Sequence, residues 1–167
     1  MILRLARADD ADMIARIWHQ GWRDGHLGHV PDELVAARTA EAFHVRSSER
    51  ISDTTVAVAE GAVVGFTMVV MDEVEQIYVA EQQRGTGVAA VLLSEATYRV
   101  AANGYKRAWL AVASGNTRAR RFYARNGWID DGPYDYPAAS AAGPIIVPCH
   151  RYSFPAHPGG PTRPLAG

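Results

Sequence analysis

One segment, VEQIYVAEQQRGTGVAAVLL, limits the possible folds most, because a strand-like run passes through a glycine-bearing loop directly into a helix-like run. Gly85 and Gly87 let the backbone of such a loop come close to a ligand. The unpaired amides and the positive dipole end of the following helix favour an anion such as a pyrophosphate. The same letters also suit a helix with a flexible entrance. The segment therefore predicts either a phosphate-binding loop or a plain helix start.

Two common phosphate-binding motifs fit this loop poorly. A P-loop has a lysine and then a serine or threonine after its last glycine, whereas Val88 and Ala89 follow Gly87. The letters from Gly85 to Ala90 match a dinucleotide-binding fingerprint, but the next strand, LAVASG, lacks the acidic residue that holds a ribose diol. The preceding strand also ends several residues before the first glycine. Both motifs are therefore disfavoured.

The remaining patterns predict a single α+β domain. Strands are predicted at residues 3–5, 54–59, 63–70, 74–79, 108–113 and 145–154, and helices from Asp9, from Pro31 through Phe43, from Gly87 to about Asn103 and from Asn116 to Asn126. This order predicts a mixed, mostly antiparallel central sheet flanked by helices. The domain is predicted at residues 1–154, and the Pro- and Gly-rich residues 155–167 are predicted to form a disordered tail.

The glycine loop and its surroundings resemble one family. Arg84-x-x-Gly87-x-Ala89 is similar to the Q/R-x-x-G-x-G/A loop of the GNAT family of acyl-CoA-dependent N-acetyltransferases. EVEQIYV upstream resembles the family's fourth strand, and NTRARRFYARNGW downstream resembles its second motif. The N-terminal IARIWHQGWRDGHLGHVPDEL is similar to the acceptor-side helices of one common branch. The resemblance covers about Ile2 to Phe154 and implies a GNAT-like fold, although residues 130–148 depart from the family's pattern.

This resemblance implies a binding site for acetyl-CoA as co-substrate. In the family, the backbone of the fourth strand pairs with the pantetheine arm, and the glycine loop holds the pyrophosphate through its amides. The implied binding residues are Ile77, Tyr78, Val79, Arg84, Gly85, Thr86, Gly87, Val88, Ala89, Ala90 and Asn116. For Asn116 a second interpretation stays open, an N-cap of the following helix. No metal is expected, because the histidines form no metal-ligand spacing with a carboxylate.

Tyr123 and two glutamates are the implied catalytic groups. Tyr123 lies seven residues after Asn116 on the same helical face, and in the family this tyrosine is positioned to protonate the leaving sulfur of coenzyme A. Its alternative role is an aromatic residue that packs beside Phe122. Glu73 and Glu75 share one face of a strand by parity, where a carboxylate accepts the amine proton through water. For each glutamate, a solvated strand charge is the alternative.

The acceptor side carries aromatic and imidazole groups. Trp18, Trp22 and His26 recur at helical spacing in the segment that resembles the acceptor-side helices. Such groups suit a small amine or an amino acid as substrate, and they also suit a core. The basic run RARR at residues 118–121 either meets the 3′-phosphate of coenzyme A or forms a solvated helix face.

Composition argues against several other classes of protein. The 17 basic and 18 acidic residues give a net charge of −1, which supplies no field that recruits nucleic acid or an anionic membrane. No apolar stretch approaches the ~20 residues of a membrane span. The lone Cys149 makes no intrachain disulfide, which suits a reducing, cytoplasmic compartment.

Together these patterns predict an N-acetyltransferase that moves an acetyl group from acetyl-CoA to a primary amine by direct attack. The acceptor is predicted to be a small molecule or an amino acid-like compound, and a homodimer through the C-terminal strands is compatible with the sequence. Two alternatives stay open. One is a non-catalytic acyl-CoA-binding sensor, and the other is acetylation of a protein or peptide N-terminus.

Overall fold

Seven strands and five helices build the part of the chain that this computed structural model describes, residues 1–157. The strands are β1 (Ile2–Leu5), β2 (Thr54–Ala59), β3 (Ala62–Val70), β4 (Glu73–Val79), β5 (Arg107–Ala113), β6 (Ile129–Ala138) and β7 (Ile145–Pro155). The helices are α1 (Ala11–His26), α2 (Asp32–Ala37), α3 (Ala40–Glu49), α4 (Val88–Ala102) and α5 (Thr117–Arg125). Short 3-10 turns precede α1, β2 and α4.

The strands form one sheet in the order β1-β2-β3-β4-β5-β7-β6. Every neighbouring pair is antiparallel except β4 and β5, which are parallel. The predicted α+β class, with a mixed and mostly antiparallel sheet, is therefore confirmed. The parallel pair lies in the middle of the sheet, and α4 supplies its crossover connection.

Helices cover both faces of this sheet. On one face, Trp18 of α1 and Phe43 of α3 pack in a cluster with Val56 of β2. On the other face, Leu92 of α4 packs with Ala57. Because successive residues of a strand point to opposite faces, Val56 and Ala57 place one cluster on each side. Each large apolar side chain buried in these clusters contributes roughly 1.5–3 kcal/mol to stability.

The sequence patterns missed β6. This strand has the sequence IDDGPYDYPA, and its prolines and aspartates are residue types that strands usually exclude. They are tolerated because β6 is at the edge of the sheet, where one side of the backbone needs no strand partner. A bulge between Asp130 and Gly132 shifts its register against β7. The segment without a recognisable pattern is therefore an irregular edge strand.

The helix predicted over residues 31–43 is wrong in its extent. It is divided into two helices, because α2 ends at Ala37 and Thr39 begins the next helix by accepting a hydrogen bond from the Ala42 amide at 3.1 Å. Arg38 lies at the junction, with φ −94° and ψ 60°. The break turns its side chain into the interior, where only 7% of the residue is exposed.

The last strand reaches into the region predicted as a tail. β7 ends at Pro155, and the Ala156 amide then donates to the Lys106 carbonyl at 3.0 Å. Residues 158–167 lie outside the described part of the chain, so the predicted disordered tail stays a prediction. Within residues 1–157, no helix is long and apolar enough to cross a membrane.

Candidate active site

The sheet opens between β4 and β5, and a cleft of about 690 Å³ occupies the opening. The two strands pair only at Glu73 and Trp109, where the Trp109 amide also donates to the Asp72 carbonyl at 3.1 Å. Beyond that point the strands diverge. Residues 73–79 and 110–113 of the two strands line the cleft. The opening therefore leaves one edge of each strand free for a ligand.

A bulge in β4 shapes the wall of the cleft. Val74 pairs with Val69 of β3 and Gln76 pairs with Met68, so Glu75 opposes no residue of β3. A bulge bends the strand and re-aims its side chains. All seven residues of β4 line the cleft, because the cleft follows the free edge of the strand, where residues of both faces border it.

One end of the cleft, which we call the loop end, consists of residues 84–90. Gly85 and Gly87 have φ values of 79° and 90°, a region that residues with a side chain rarely adopt. A Cβ atom built on either glycine would meet no atom within 4 Å. The amide of Val91 bonds to the Gly87 carbonyl at 3.2 Å, so the preceding amides at the start of α4 have no helical acceptor. These open amides suit an anion.

The predicted residues of the loop end do not all face the cleft. Arg84, Gly85, Gly87, Ala89 and Ala90 line it. The Thr86 hydroxyl turns away and donates to the Gln83 carbonyl at 2.6 Å, and Val88 is buried against β2.

An ion pair holds the loop end against α1. The Arg84 guanidinium donates to an Asp24 carboxylate oxygen at 2.6 Å, and this contact holds the pKa of Asp24 below its usual value. Of the RARR run, Arg118 lines the cleft. Arg120 instead turns toward β6 and β7, where it donates to the Ser114 carbonyl at 3.0 Å and lies 3.3 Å from an Asp130 oxygen.

Asn116 serves as the N-cap of α5 and also lines the cleft. Its Oδ1 atom accepts a hydrogen bond from the Ala119 amide at 3.2 Å, which is the capping interpretation of this residue. Its Nδ2 atom faces α1, since a Cβ built on Gly25 would lie 2.8 Å from it. Capping leaves the amide nitrogen as the part of Asn116 that remains for a ligand.

Tyr123 projects from α5 into the middle of the cleft wall. The residue is 8% exposed and lines the cleft, and its ring packs on Phe122 and Tyr152 with centroids 5.3 and 5.8 Å apart. Within residues 1–157 its hydroxyl forms no hydrogen bond. Burial raises the pKa of Tyr123, so its hydroxyl stays protonated at neutral pH. Packing and a free proton donor are combined in one residue.

Glu73 and Glu75 both line the cleft, with different partners. The Tyr136 hydroxyl of β6 donates to Glu73 Oε1 at 2.6 Å, and burial raises the pKa of Glu73. Glu75 accepts from the Arg50 guanidinium at 2.6 Å. Glu73 is therefore the carboxylate with a neutral partner, and Glu75 is held in an ion pair.

The structure separates the three predicted acceptor-side residues. Trp22 and His26 line the cleft with their rings stacked, 4.8 Å between centroids and 7° between planes. His26 Nδ1 lies 2.8 Å from the Trp22 carbonyl oxygen, so Nδ1 carries the proton in this bond. Burial lowers the pKa of His26 to about 4. The prediction that Trp18 binds the substrate is corrected, because Trp18 is fully buried beside Phe43 and does not line the cleft.

Three polar residues at one end of the cleft were among those that the sequence did not predict. Arg38, Arg46 and Tyr136 line the end of the cleft that also holds Trp22 and His26, and we call these five residues the arginine end. No motif marks them, because they come from a helix junction, the middle of α3 and the unrecognised β6. Within residues 1–157, no group of His, Cys, Asp and Glu side chains is placed to hold a metal ion.

Comparison with known sequences is consistent with this geometry. Residues 12–128 match the model of the Acetyltransferase (GNAT) family. An uncharacterized N-acetyltransferase of Mycobacterium bovis is 30% identical over 112 residues, which is 62% of this chain and 72% of the relative. An uncharacterized N-acetyltransferase of Mycobacterium tuberculosis matches at the same identity and coverage.

Solved structures share the fold. A GCN5-related N-acetyltransferase from Rhodopseudomonas palustris has a TM-score of 0.69 at 21% identity, covering 91% of this chain and 93% of that one. The putative acetyltransferase yncA from Salmonella typhimurium, solved with its cofactor acetyl-CoA, has a TM-score of 0.67 at 16% identity and covers 99% of both chains. The paiA N-acetyltransferase from Thermoplasma acidophilum, in complex with coenzyme A, has a TM-score of 0.63 at 15% identity, with 91% and 96% coverage.

Proposed function

Because the chain belongs to the GNAT family of N-acetyltransferases, we propose that it transfers the acetyl group of acetyl-CoA to a primary amine of a small molecule or an amino acid-like compound. The observation that carries this proposal is one continuous cleft. It joins the open amides of the loop end to Tyr123 and to the carboxylates of β4. Acyl transfer needs a donor anchor, an acid for the leaving thiolate and a base for the amine, and the cleft has a candidate for each.

The loop end is the proposed anchor for the pyrophosphate of the donor. Its glycines leave room for a ligand against the backbone, and its unpaired amides supply donors at the positive end of α4. Arg118 adds positive charge beside it, whereas the charge of Arg84 is paired with Asp24. Two solved neighbours are named as complexes with coenzyme A or acetyl-CoA, which supports the same donor for this chain.

The free edge of β4 is the proposed partner of the pantetheine arm. Past Glu73 the strand has no hydrogen-bonded neighbour on its β5 side, so its backbone groups on that side are available to an extended ligand. Ile77, Tyr78 and Val79 lie on this stretch. A donor bound along them runs between the loop end and the arginine end.

The reaction exchanges one bond for another. The amine nitrogen forms a bond to the acetyl carbon, the carbon–sulfur bond breaks, one proton leaves the nitrogen and one proton joins the sulfur. Tyr123 is the proposed acid, since it lines the cleft, a tyrosine is protonated at neutral pH, and its hydroxyl has no competing partner within the described residues. Solvent in the cleft then returns a proton to the phenolate.

Glu73 is the proposed base. A raised pKa makes its carboxylate a stronger proton acceptor than an ordinary glutamate, while the Tyr136 hydroxyl fixes its orientation. Glu75 is less suited to this role, because the Arg50 guanidinium already occupies its carboxylate oxygen at 2.6 Å. His26 is a weak base at neutral pH, since its pKa is about 4.

A panel of amines tests this proposal. Amino acids, polyamines, aminoglycosides and peptides with free N-termini are each mixed with acetyl-CoA, and thiol release is followed. We expect release with at least one small amine or amino acid and acetylation of its nitrogen by mass spectrometry. Binding of acetyl-CoA without release in any case would favour a sensor, and release only with peptides would favour acetylation of N-termini. The homodimer and the cytoplasmic location stay predictions.

A further inference from the structure

Two arginines of the arginine end have no acidic partner. Arg38 is 7% exposed, and within residues 1–157 its side chain forms neither a hydrogen bond nor an ion pair. Arg46 lies over the Trp18 ring, with its guanidinium carbon 4.5 Å from the ring centroid, and it too forms no ion pair among the described residues. Both residues border the cleft. The cleft therefore contains two cations that nothing in this part of the chain neutralises directly.

Arg50 next to them provides the contrast. It donates to Asp53 at 2.9 Å and to Glu75 at 2.6 Å, as buried cations usually do. Burial, together with the charges of Arg38 and Arg50, lowers the pKa of Arg46 to about 10. Burial also lowers the pKa of Arg38. Desolvation and mutual repulsion make this arrangement costly unless an anion completes it.

The pyrophosphate of the donor is not that anion. Arg46 lies among Arg50 and Glu75, and Arg38 lies near Tyr136, whose hydroxyl bonds to Glu73, so both arginines are near the beginning of β4. The loop end follows the last residue of the strand, Val79. Glu75 and Val79 are four positions apart along the strand, which is about 13 Å of extended chain. The two cationic arginines and the open amides are thus at opposite ends of the cleft.

We propose that the acceptor carries a carboxylate, and that Arg38 and Arg46 bind it while its amine points toward Glu73. The substrate class is then an amino acid. Guanidinium groups match carboxylates in shape and in hydrogen-bond direction, and such pairs are strong when shielded from water. Trp22 and His26 form the neighbouring wall with a flat, uncharged surface. This inference rests on the proposed acetyl transfer to an amine.

Matched acceptors test the inference first. The twenty L-amino acids, their methyl esters and the corresponding decarboxylated amines are compared by thiol release from acetyl-CoA. We expect kcat/KM for the best amino acid to exceed that of its ester and its amine by roughly 10-fold or more, the range for a charge-assisted hydrogen bond. Equal rates for the three forms would overturn the carboxylate site while leaving acetyl transfer intact. No release with any amine would instead count against the proposed function.

Arginine variants then locate the site. Arg38→Met and Arg46→Met are expected to lower kcat/KM roughly 10- to 100-fold for the amino acid, mainly through a higher KM, and to change it little for the ester. The exposed Arg23, which does not line the cleft, provides the control Arg23→Met. Equal losses for the acid and the ester in the Arg38 and Arg46 variants would overturn the assignment.

Thermal unfolding separates binding from a structural role. Methionine fills a similar volume without a charge, and removal of a buried cation that lacks a partner is neutral or stabilising. Arg38→Met without ligand is therefore expected to melt at the same temperature as the natural protein or above it. A fall of several degrees, with equal loss of activity on all acceptors, would make Arg38 a structural residue and overturn its part in the inference.

Discussion

The loop end and the arginine end of the cleft bind by different means. The loop end offers backbone amides within one run of seven residues, of which those of Arg84 and Thr86 bond to Glu81 and Gln83. Its glycines make that backbone conformation possible. The arginine end uses side chains from α1, the α2–α3 junction, α3 and β6, which meet only when the chain is folded. A backbone site is thus local in the sequence, whereas a side-chain site depends on tertiary structure.

The two ends also differ in how much they destabilise the folded protein when no ligand is bound. Open amides at a helix start carry partial charges and are satisfied by water when no anion is bound. Arg38 and Arg46 carry full charges and are partly desolvated. Their desolvation therefore opposes folding when no carboxylate is bound. The loop end is therefore stable when empty, and the arginine end stores a cost that ligand binding relieves.

Gly87→Glu gives the largest expected effect and acts on the loop end alone. The new side chain strains a residue with φ 90° and places a carboxylate beside the open amides. Coenzyme A affinity, measured by calorimetry, should fall roughly 100-fold or more. Gly61→Glu is the matched control, since Gly61 has φ 79° in the turn between β2 and β3. Unchanged affinity in a folded Gly87→Glu variant would reject the donor site.

Tyr123→Phe tests the proposed acid role of Tyr123, which lies in the cleft wall between the two ends. The thiolate of coenzyme A is a fair leaving group, so loss of the acid should lower kcat by about 100-fold, the low end for general acid catalysis. The ring is retained and its hydroxyl has no partner within residues 1–157, so stability and donor affinity should change little. Steady-state thiol release gives the rate, with Tyr105→Phe as control. Full turnover would make Tyr123 a packing residue only.

Glu73→Gln and Glu75→Gln should affect different properties, turnover in the first variant and stability in the second. Glu73→Gln is expected to lower turnover about 10-fold at pH 7 and less near pH 9, where more of the amine is already unprotonated. Glu75→Gln should mainly reduce stability, because it breaks the pair with Arg50. The pH profile of kcat is the measurement. Equal losses at every pH in both variants would assign both carboxylates to structure.

The smallest expected effect is a pH dependence of stability at His26. Its pKa of about 4 in the folded protein lies below the value of about 6.5 for the unfolded chain. The contribution of neutral His26 to the free energy of unfolding is therefore complete well above pH 6.5 and is lost as the pH falls toward 4. The free energy of unfolding should fall by about 1 kcal/mol from pH 8 to pH 6. His26→Gln should remove this slope, whereas His44→Gln should retain it; an unchanged slope in His26→Gln would contradict the assignment.

Sequence patterns predicted the features that depend on local chemistry. The glycine loop, the helix after it, the capping role of Asn116 and the class of the sheet follow from neighbouring residues, and the structure agrees. β6 was not predictable, because its prolines and aspartates oppose a strand and only the edge position permits them. Tyr136 was lost with it, although its hydroxyl bonds to Glu73.

Helical spacing alone also failed to separate core from cleft. Trp18 and Trp22 lie four residues apart on one face of α1, as predicted, and both pack against Phe43 of α3, yet only Trp22 also lines the cleft. Arg46 of α3 lies over the Trp18 ring, so the packing of α3 on α1 keeps Trp18 in the core. The inward position of the Arg38 side chain also depends on the arrangement of the helices, since the break before α3 turns it into the interior. Such information is in the packing of helices and not in their periodicity.

The single backbone pair between β4 and β5 divides the chain as well as the sheet. Strands β1–β4 come from residues 2–79, and the other three strands follow α4. With one pair of residues across the seam, the two halves are separate hydrogen-bonded units that are joined mainly by side-chain packing, such as the cluster that includes Phe66 and Val147. Native-state hydrogen exchange is expected to show the amides beside the seam opening before those inside each unit. A ligand that bonds to the free edges of both strands would join these units. Occupancy of the cleft then sets how far an unfolding event spreads through the molecule.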